Sequence, residues 1–255
     1  MLRSMKGMED YSVGATDGII GRVRDFYFDD AAWVIRYLVV RIGEERNVLI
    51  SPISIGRPNW SEKILPVSLT RDQIKNSPDI DTNKPVSRQH EMGYLGYYGY
   101  GNYWGGGGLW GAGFYPDLLQ AGLQVSTGSQ AHHQHDDPHL RSGNAVMRYY
   151  VHASDGDIGH VQGFLVDEIS WAIRYVIVDT SNWWLGHQVI VAPEWIGYVD
   201  WAESKVCVNL TRKAIKDSPP YDATASLDRE QEASIFAHYG RDGYWPRVRG
   251  DMITV

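Results

Sequence analysis

Between residues 33 and 41 the chain places Trp33, Ile35, Tyr37 and Val39 on one face of an extended segment and Val34, Leu38 and Val40 on the other. A period of two predicts a β-strand, and apolar residues on both faces predict a strand covered from both sides. Arg36 alone breaks the apolar run. A strand over 20–28 is predicted just before it, led in by the turn dipeptide Asp17-Gly18. Short apolar runs at 48–50, 53–55 and 64–68 complete the set. Thr70 followed by Gln73 has capping-box spacing and predicts a short helix.

The same pattern then returns. Asp17-Gly18, Ile20-Gly21, Trp33, Ile35-Arg36-Tyr37 and Val40 recur as Asp155-Gly156, Ile158-Gly159, Trp171, Ile173-Arg174-Tyr175 and Val178, an offset of 138 residues. After a three-residue insertion near 181–186 the offset is 141, and Leu69-Thr70-Arg71 and Ser77-Pro78 recur as Leu210-Thr211-Arg212 and Ser218-Pro219. A repeat of this length is a duplicated domain, far longer than a solenoid unit.

Leu2-Arg3-Ser4 returns as Leu140-Arg141-Ser142 and Tyr103-Trp104 as Tyr244-Trp245, which divides the chain. Residues 2–104 form domain one, 105–139 a glycine-aromatic and histidine-rich linker, 140–245 domain two and 246–255 a tail. In domain two, Asp228 and Gln231 open a helix that Gly240 ends. Domain one has Gly93 and Gly96 in that region, so its helix is expected to be frayed or absent.

The unit Asp-Gly-x-Ile-Gly-x-Val, an acidic pair, Trp-x-Ile-Arg-Tyr and Leu-Thr-Arg before Ser-Pro resembles the PRC-barrel family. That family includes the cytoplasmic domain of the photosynthetic reaction-centre H subunit and the C-terminal domain of a ribosome maturation factor. The resemblance implies a mainly β chain of two small antiparallel PRC-type β-barrels, each with a short helix and a C-terminal tail. It speaks to a scaffold more than to a reaction.

Composition narrows the functional classes. The 255 residues are 43% hydrophobic, with 16 Tyr and 10 Trp, and the formal charge of −7 argues against a nucleic-acid partner. The N-terminal stretch lacks the apolar core of a secretory signal, so a cytoplasmic location is expected. The single Cys207 is expected to be a small buried hydrophobe. Glycine at the density of 93–116 makes a poor spanning helix, so no transmembrane segment is expected, although peripheral membrane association stays open.

His132, His133, His135 and His139 are candidate metal ligands, with Asp136 and Asp137 among them. Their spacing matches no closed zinc site, so a solvated tether is preferred and no cofactor is expected. Gly106, Gly108 and Gly111 fit a dinucleotide pattern by chance within a glycine run. Arg36 and Arg174 each need a partner inside an apolar strand, and Asp29 and Asp167 are the expected ion-pair acids. Trp104, Leu109, Trp110, Phe114 and Tyr115 either pack onto a barrel, the preferred reading, or offer a patch to a protein partner. The chain is therefore expected to be a non-catalytic interaction or assembly module, open to homo-oligomer formation. The resemblance offers an alternative, a membrane-adjacent regulator of an electron-transfer complex; an unrecognised enzyme is the third reading.

Overall fold

The two Asp-Gly dipeptides turn the chain and also hold a helix. Asp17 Oδ1 accepts from the Arg71 amide at 2.8 Å and Asp155 Oδ1 from the Arg212 amide at 2.7 Å. Gly18 and Gly156 take φ of 131° and 133°, which a side chain would resist. The computed structural model describes residues 1–44, 46–78, 80, 86, 88–104, 106–111, 113–119, 140–180 and 187–245.

The first half contains β1 (Leu2–Ser4), β2 (Ser12–Ala15), β3 (Gly18–Asp29), β4 (Val34–Ile42), β5 (Arg46–Ile50) and β6 (Ile64–Pro66), then α1 (Arg71–Lys75) and α2 (Arg88–Tyr98). The second contains β7 (Leu140–Ser142), α3 (Gly143–Val146), β8 (Tyr150–Ala153), β9 (Gly156–Asp167), β10 (Ile173–Asp179), β11 (Gln188–Val191), β12 (Ile196–Asp200) and β13 (Lys205–Val208), then α4 (Arg212–Lys216) and α5 (Arg229–His238). The protein is mainly β, with two sheets ordered β5-β4-β3-β2-β6 and β11-β10-β9-β8-β13-β12.

Two details depart from the expected antiparallel barrels. The β2–β6 and β8–β13 pairs are parallel, so the sheets are mixed. Among the described residues, neither sheet's ladders close into a barrel. Pro52 and Pro193 cannot donate to a ladder, and the chain passes through a 3-10 turn at Pro52–Ser54 and at Pro193–Trp195. Beyond the first turn an Ile55–Val67 bridge meets the end of β6; beyond the second, β12 pairs with β13.

The halves exchange their first strands. β3 and β9 are each 12 residues long and outrun their partners β2 and β8. Their free edges are filled from the other half, β3 by β7 (Tyr27 opposite Ser142) and β9 by β1 (Leu2 opposite Asp167). An open edge is a liability, and each half covers its neighbour's. At the centre of the joint the Ile35 amide donates to the Trp171 carbonyl at 2.9 Å and the Ile173 amide to the Trp33 carbonyl at 2.7 Å. Trp33 and Trp171 both hold positive φ, 53° and 59°, costly for a bulky residue. Arg3 Nε lies 2.8 Å from Glu168 and Arg141 Nε 2.8 Å from Asp30. Each guanidinium also stacks on a tryptophan of its own half, Trp60 at 4.2 Å and Trp201 at 4.1 Å. The joint thus has approximate two-fold symmetry within one chain.

The expectation for the first tail is corrected, because α2 is a helix of 11 residues. Propensity lost to packing there: Glu91, Tyr94 and Leu95 are buried, while Gly93 and Gly96 face outward with nothing within 4 Å of an added Cβ. The Gly93→Ala and Gly96→Ala variants are therefore expected to stabilise the protein by about 0.5–1 kcal/mol each. An upward shift of the urea midpoint checks this, and a loss of stability would mean that those positions are not free helix surface. Cys207 is buried on β13, and no described helix is long and apolar enough to cross a membrane.

Candidate functional site

Arg36 is where β4 begins to build a site. It is 3% exposed, and burial lowers its pKa while Tyr103 and Asp29 oppose the shift. Its Nη2 lies 3.3 Å from Asp29 Oδ2, the expected partner. Its Nη1 donates to the Leu109 carbonyl at 2.6 Å, and the guanidinium stacks 3.9 Å from the Tyr103 ring and 4.8 Å from that of Trp110. A single arginine thus ties the insert to the first sheet. Trp110 fastens the insert's far side, its Nε1 donating to the Ser170 carbonyl of the second half at 2.8 Å.

In the second half Arg174 reaches Ser170 Oγ at 3.5 Å and stacks 4.3 Å over Tyr244. The expected direct pair with Asp167 does not form. Asp167 instead accepts from the Ile169 and Ser170 amides and the Ser170 hydroxyl at 2.8–3.0 Å. These bonds outweigh the upward push of its burial and hold its carboxyl below the usual value.

Behind each arginine lies a buried carboxylate between tyrosines. Glu91 accepts from Tyr37 at 3.1 Å and from Tyr103; Glu232 accepts from Tyr175 at 2.7 Å and from Tyr244 at 2.8 Å. These clusters fasten α2 and α5 to their sheets. Burial raises the hydroxyls of Tyr37, Tyr94 and Tyr175 well above the usual value of 10.0 and pushes Tyr98, Tyr239 and Tyr244 up to about 12. An acid whose folded pKa is raised holds its proton longer in the folded state, so stability falls as pH climbs from about 10. An alkaline absorbance titration is expected to show Tyr37, Tyr94 and Tyr175 ionising only with unfolding, and Tyr98, Tyr239 and Tyr244 ionising about two pH units later than exposed tyrosines. Smooth titration of all tyrosines near pH 10 in a folded protein would contradict their burial.

The insert, so held, builds one wall of a groove of about 680 Å³ that crosses the joint. Arg3, Ile55, Arg57 and Trp60 come from the first half, Glu168, Ile169 and Trp171 from the second, and Tyr115 and Asp117 from the insert. Glu168 is already engaged by Arg3 and by the Met1 ammonium at 3.5 Å, so it is not poised for acid–base work. Arg57 and Asp117 are exposed and have no charged partner among the described residues. Of the lining residues Tyr115 is 50% and Ile169 60% exposed, and Phe114 at 62% and Leu118 at 54% adjoin the insert's lining residues along the chain. Large aromatics at the edge of a concave surface suit an apolar or aromatic side chain from a partner.

The five aromatic and apolar candidates are thus divided. Trp110 is buried, Trp104 and Leu109 are half-buried against the core, and Phe114 and Tyr115 stand exposed. His132, His133, His135 and His139 lie outside the described residues, among which no cluster of three His, Cys, Asp or Glu side chains is placed to hold a metal. Ile169, Leu118 and Arg57 were missed by sequence reasoning; Ile169 follows the acidic turn with nothing in the pattern to mark it as exposed. No protein-family model matches this chain, and no curated protein matches it.

Proposed function

We propose that this chain is a non-catalytic protein-interaction or assembly module that receives a protein partner at the groove across the joint. The observation that carries this reading is that Tyr115 and Ile169, both at least half exposed, line the groove, and that Phe114 and Leu118, also more than half exposed, adjoin its insert residues along the chain. Isolated exposed apolar residues are ordinary, whereas several together at a groove mark contact surface. A partner would seat an apolar side chain against Tyr115 and Ile169, with Arg57 and Asp117 at the rim setting its orientation. The PRC-barrel likeness belongs to this reading, the two duplicated sheets serving as a rigid support for the site. In a PRC-type scaffold each sheet would curl into a small barrel about its bent edge segment.

The test replaces Phe114 and Leu118 with glutamate in the full chain and compares captured proteins with those taken by the native chain. A partner held by the native chain and weakened at least about tenfold by the double variant, at unchanged thermal stability, supports the reading. Equal capture by both, or capture of none, removes it. Co-sedimentation with anionic vesicles, lost in the same variant, would favour the membrane-adjacent alternative.

A further inference from the structure

The joint between the halves brings equivalent positions of the repeat together, and at one of them the residues are methionine and glycine. Met5 and Gly143 are the same position of the repeat, and they meet. A Cβ on Gly143 would overlap Met5 Cε and sit 3.0 Å from Met5 Sδ, and 3.4 Å from the Phe26 carbonyl oxygen. Met5 is fully buried, its amide donating to the Phe164 carbonyl of the second half at 2.9 Å. One side chain therefore fills the space on which both equivalent positions converge. Two first-half surfaces would bring two methionines there, and two second-half surfaces would leave it empty. A second asymmetry sets apart only a pair of second-half surfaces, which would lack the Asp25 acceptor, since Ser4 and the Lys6 amide stand in the first half where its donors do in the second. Asp25 receives Ser142 Oγ at 2.5 Å and the Asn144 amide at 3.0 Å, whereas its equivalent is Gly163 and the equivalent of Asn144 is Lys6.

We propose that the joint is a heterotypic recognition surface, on which the first half accepts a second-half surface and rejects a copy of itself, with Met5 and Gly143 setting the choice. The partner this surface fits is one with glycine at the convergence point, a serine hydroxyl and free amide facing Asp25, and an arginine reaching Asp30. Within the chain that partner is the second half. The Arg3–Glu168 and Arg141–Asp30 pairs are reciprocal and cannot tell unlike halves from like ones. The Met–Gly contact can, while Asp25 tells only a pair of second-half surfaces from the others.

Each single substitution in the full chain turns the convergence point into a like–like pair: Gly143→Met gives two methionines, and Met5→Gly gives two glycines. Overpacking and a cavity are both costly, and each variant is expected to lower the melting temperature by roughly 5 °C or more. The exchanged double variant, Met5→Gly with Gly143→Met, is expected to regain at least half of the summed loss. Met8, buried in the same segment, is the control: Met8→Gly combined with Gly143→Met should show no rescue. If Gly143→Met does not fold, Gly143→Ala replaces it, with loss of stability expected beside Met5 and none beside Met5→Ala. A harmless Gly143→Met, or an exchanged variant that loses the full sum, overturns the proposal.

Discussion

Replacing Arg36 with leucine is expected to cost about 3 kcal/mol or more, while the same change at Arg174 costs about 1 kcal/mol. The two arginines occupy one position of the repeat, so each serves as the other's control. Arg36 is buried and bridges Asp29 Oδ2 and the Leu109 carbonyl with different nitrogens. Its removal leaves Asp29, 8% exposed, without its cation and leaves a carbonyl of the insert unpaired. The Ala31 and Ala32 amides still donate to Asp29 Oδ1, which keeps the loss below that of a bare buried charge. Arg174 is half-buried and makes one long bond to Ser170 and a stack on Tyr244, so less is lost with it. Lysine at 36 should not restore stability, because one ammonium cannot reproduce the planar fork. Urea unfolding gives the energies, and limited proteolysis within 106–119 reports the release of the insert. Equal costs at 36 and 174 would mean that Arg36 does not hold the insert. The groove should respond as well: a loosened insert removes the wall made by Tyr115 and Asp117, so partner binding should weaken in Arg36→Leu and persist in Arg174→Leu.

Gly159→Ala is expected to be as damaging, by about 3 kcal/mol, although it adds a single methyl group. That methyl would overlap the Asp179 carbonyl oxygen, with the carbonyl carbon at 2.9 Å and Thr180 Cα at 3.1 Å. These are backbone atoms of β10 and its continuation and have no rotamer to escape into, so β9 and β10 must part where His160 faces Asp179. Gly21 stands in the same relation to the Arg41 carbonyl, and Gly21→Ala should behave alike. The outward Gly93 and Gly96 of α2 carry the opposite sign, because there only helix propensity changes. Thermal melts of the four variants check this together. A Gly159→Ala variant within 1 kcal/mol of the native chain would show that the two strands do not approach as closely as described.

Much of this molecule could be read from its residues. The period-two run around Trp33 and Trp171 is strand, Thr70 and Asp228 cap their helices by side-chain bonds to Gln73 and Gln231, and Asp29 pairs with Arg36. These are local relations, set by backbone period, capping chemistry or a short turn, so nearby letters suffice. The α2 helix was hidden because its glycines argue against it and the tyrosines that hold Glu91 are 54 and 12 residues away. Arg174 misled because Ser170, three residues beyond Asp167, takes both the acid and the arginine.

By itself, then, the sequence determined that there are two copies of one β unit, where their strands run and which turns and caps repeat. Only the tertiary structure decided that the copies exchange first strands, that Trp110 is buried while Phe114 and Tyr115 are not, and that a groove crosses the joint. The reason is physical. An alternating pattern says which face of a strand seeks the core and is silent on which edge it will pair with. The edge is chosen by length, since β3 and β9 outrun their own neighbours and the nearest chain able to cover them belongs to the other half.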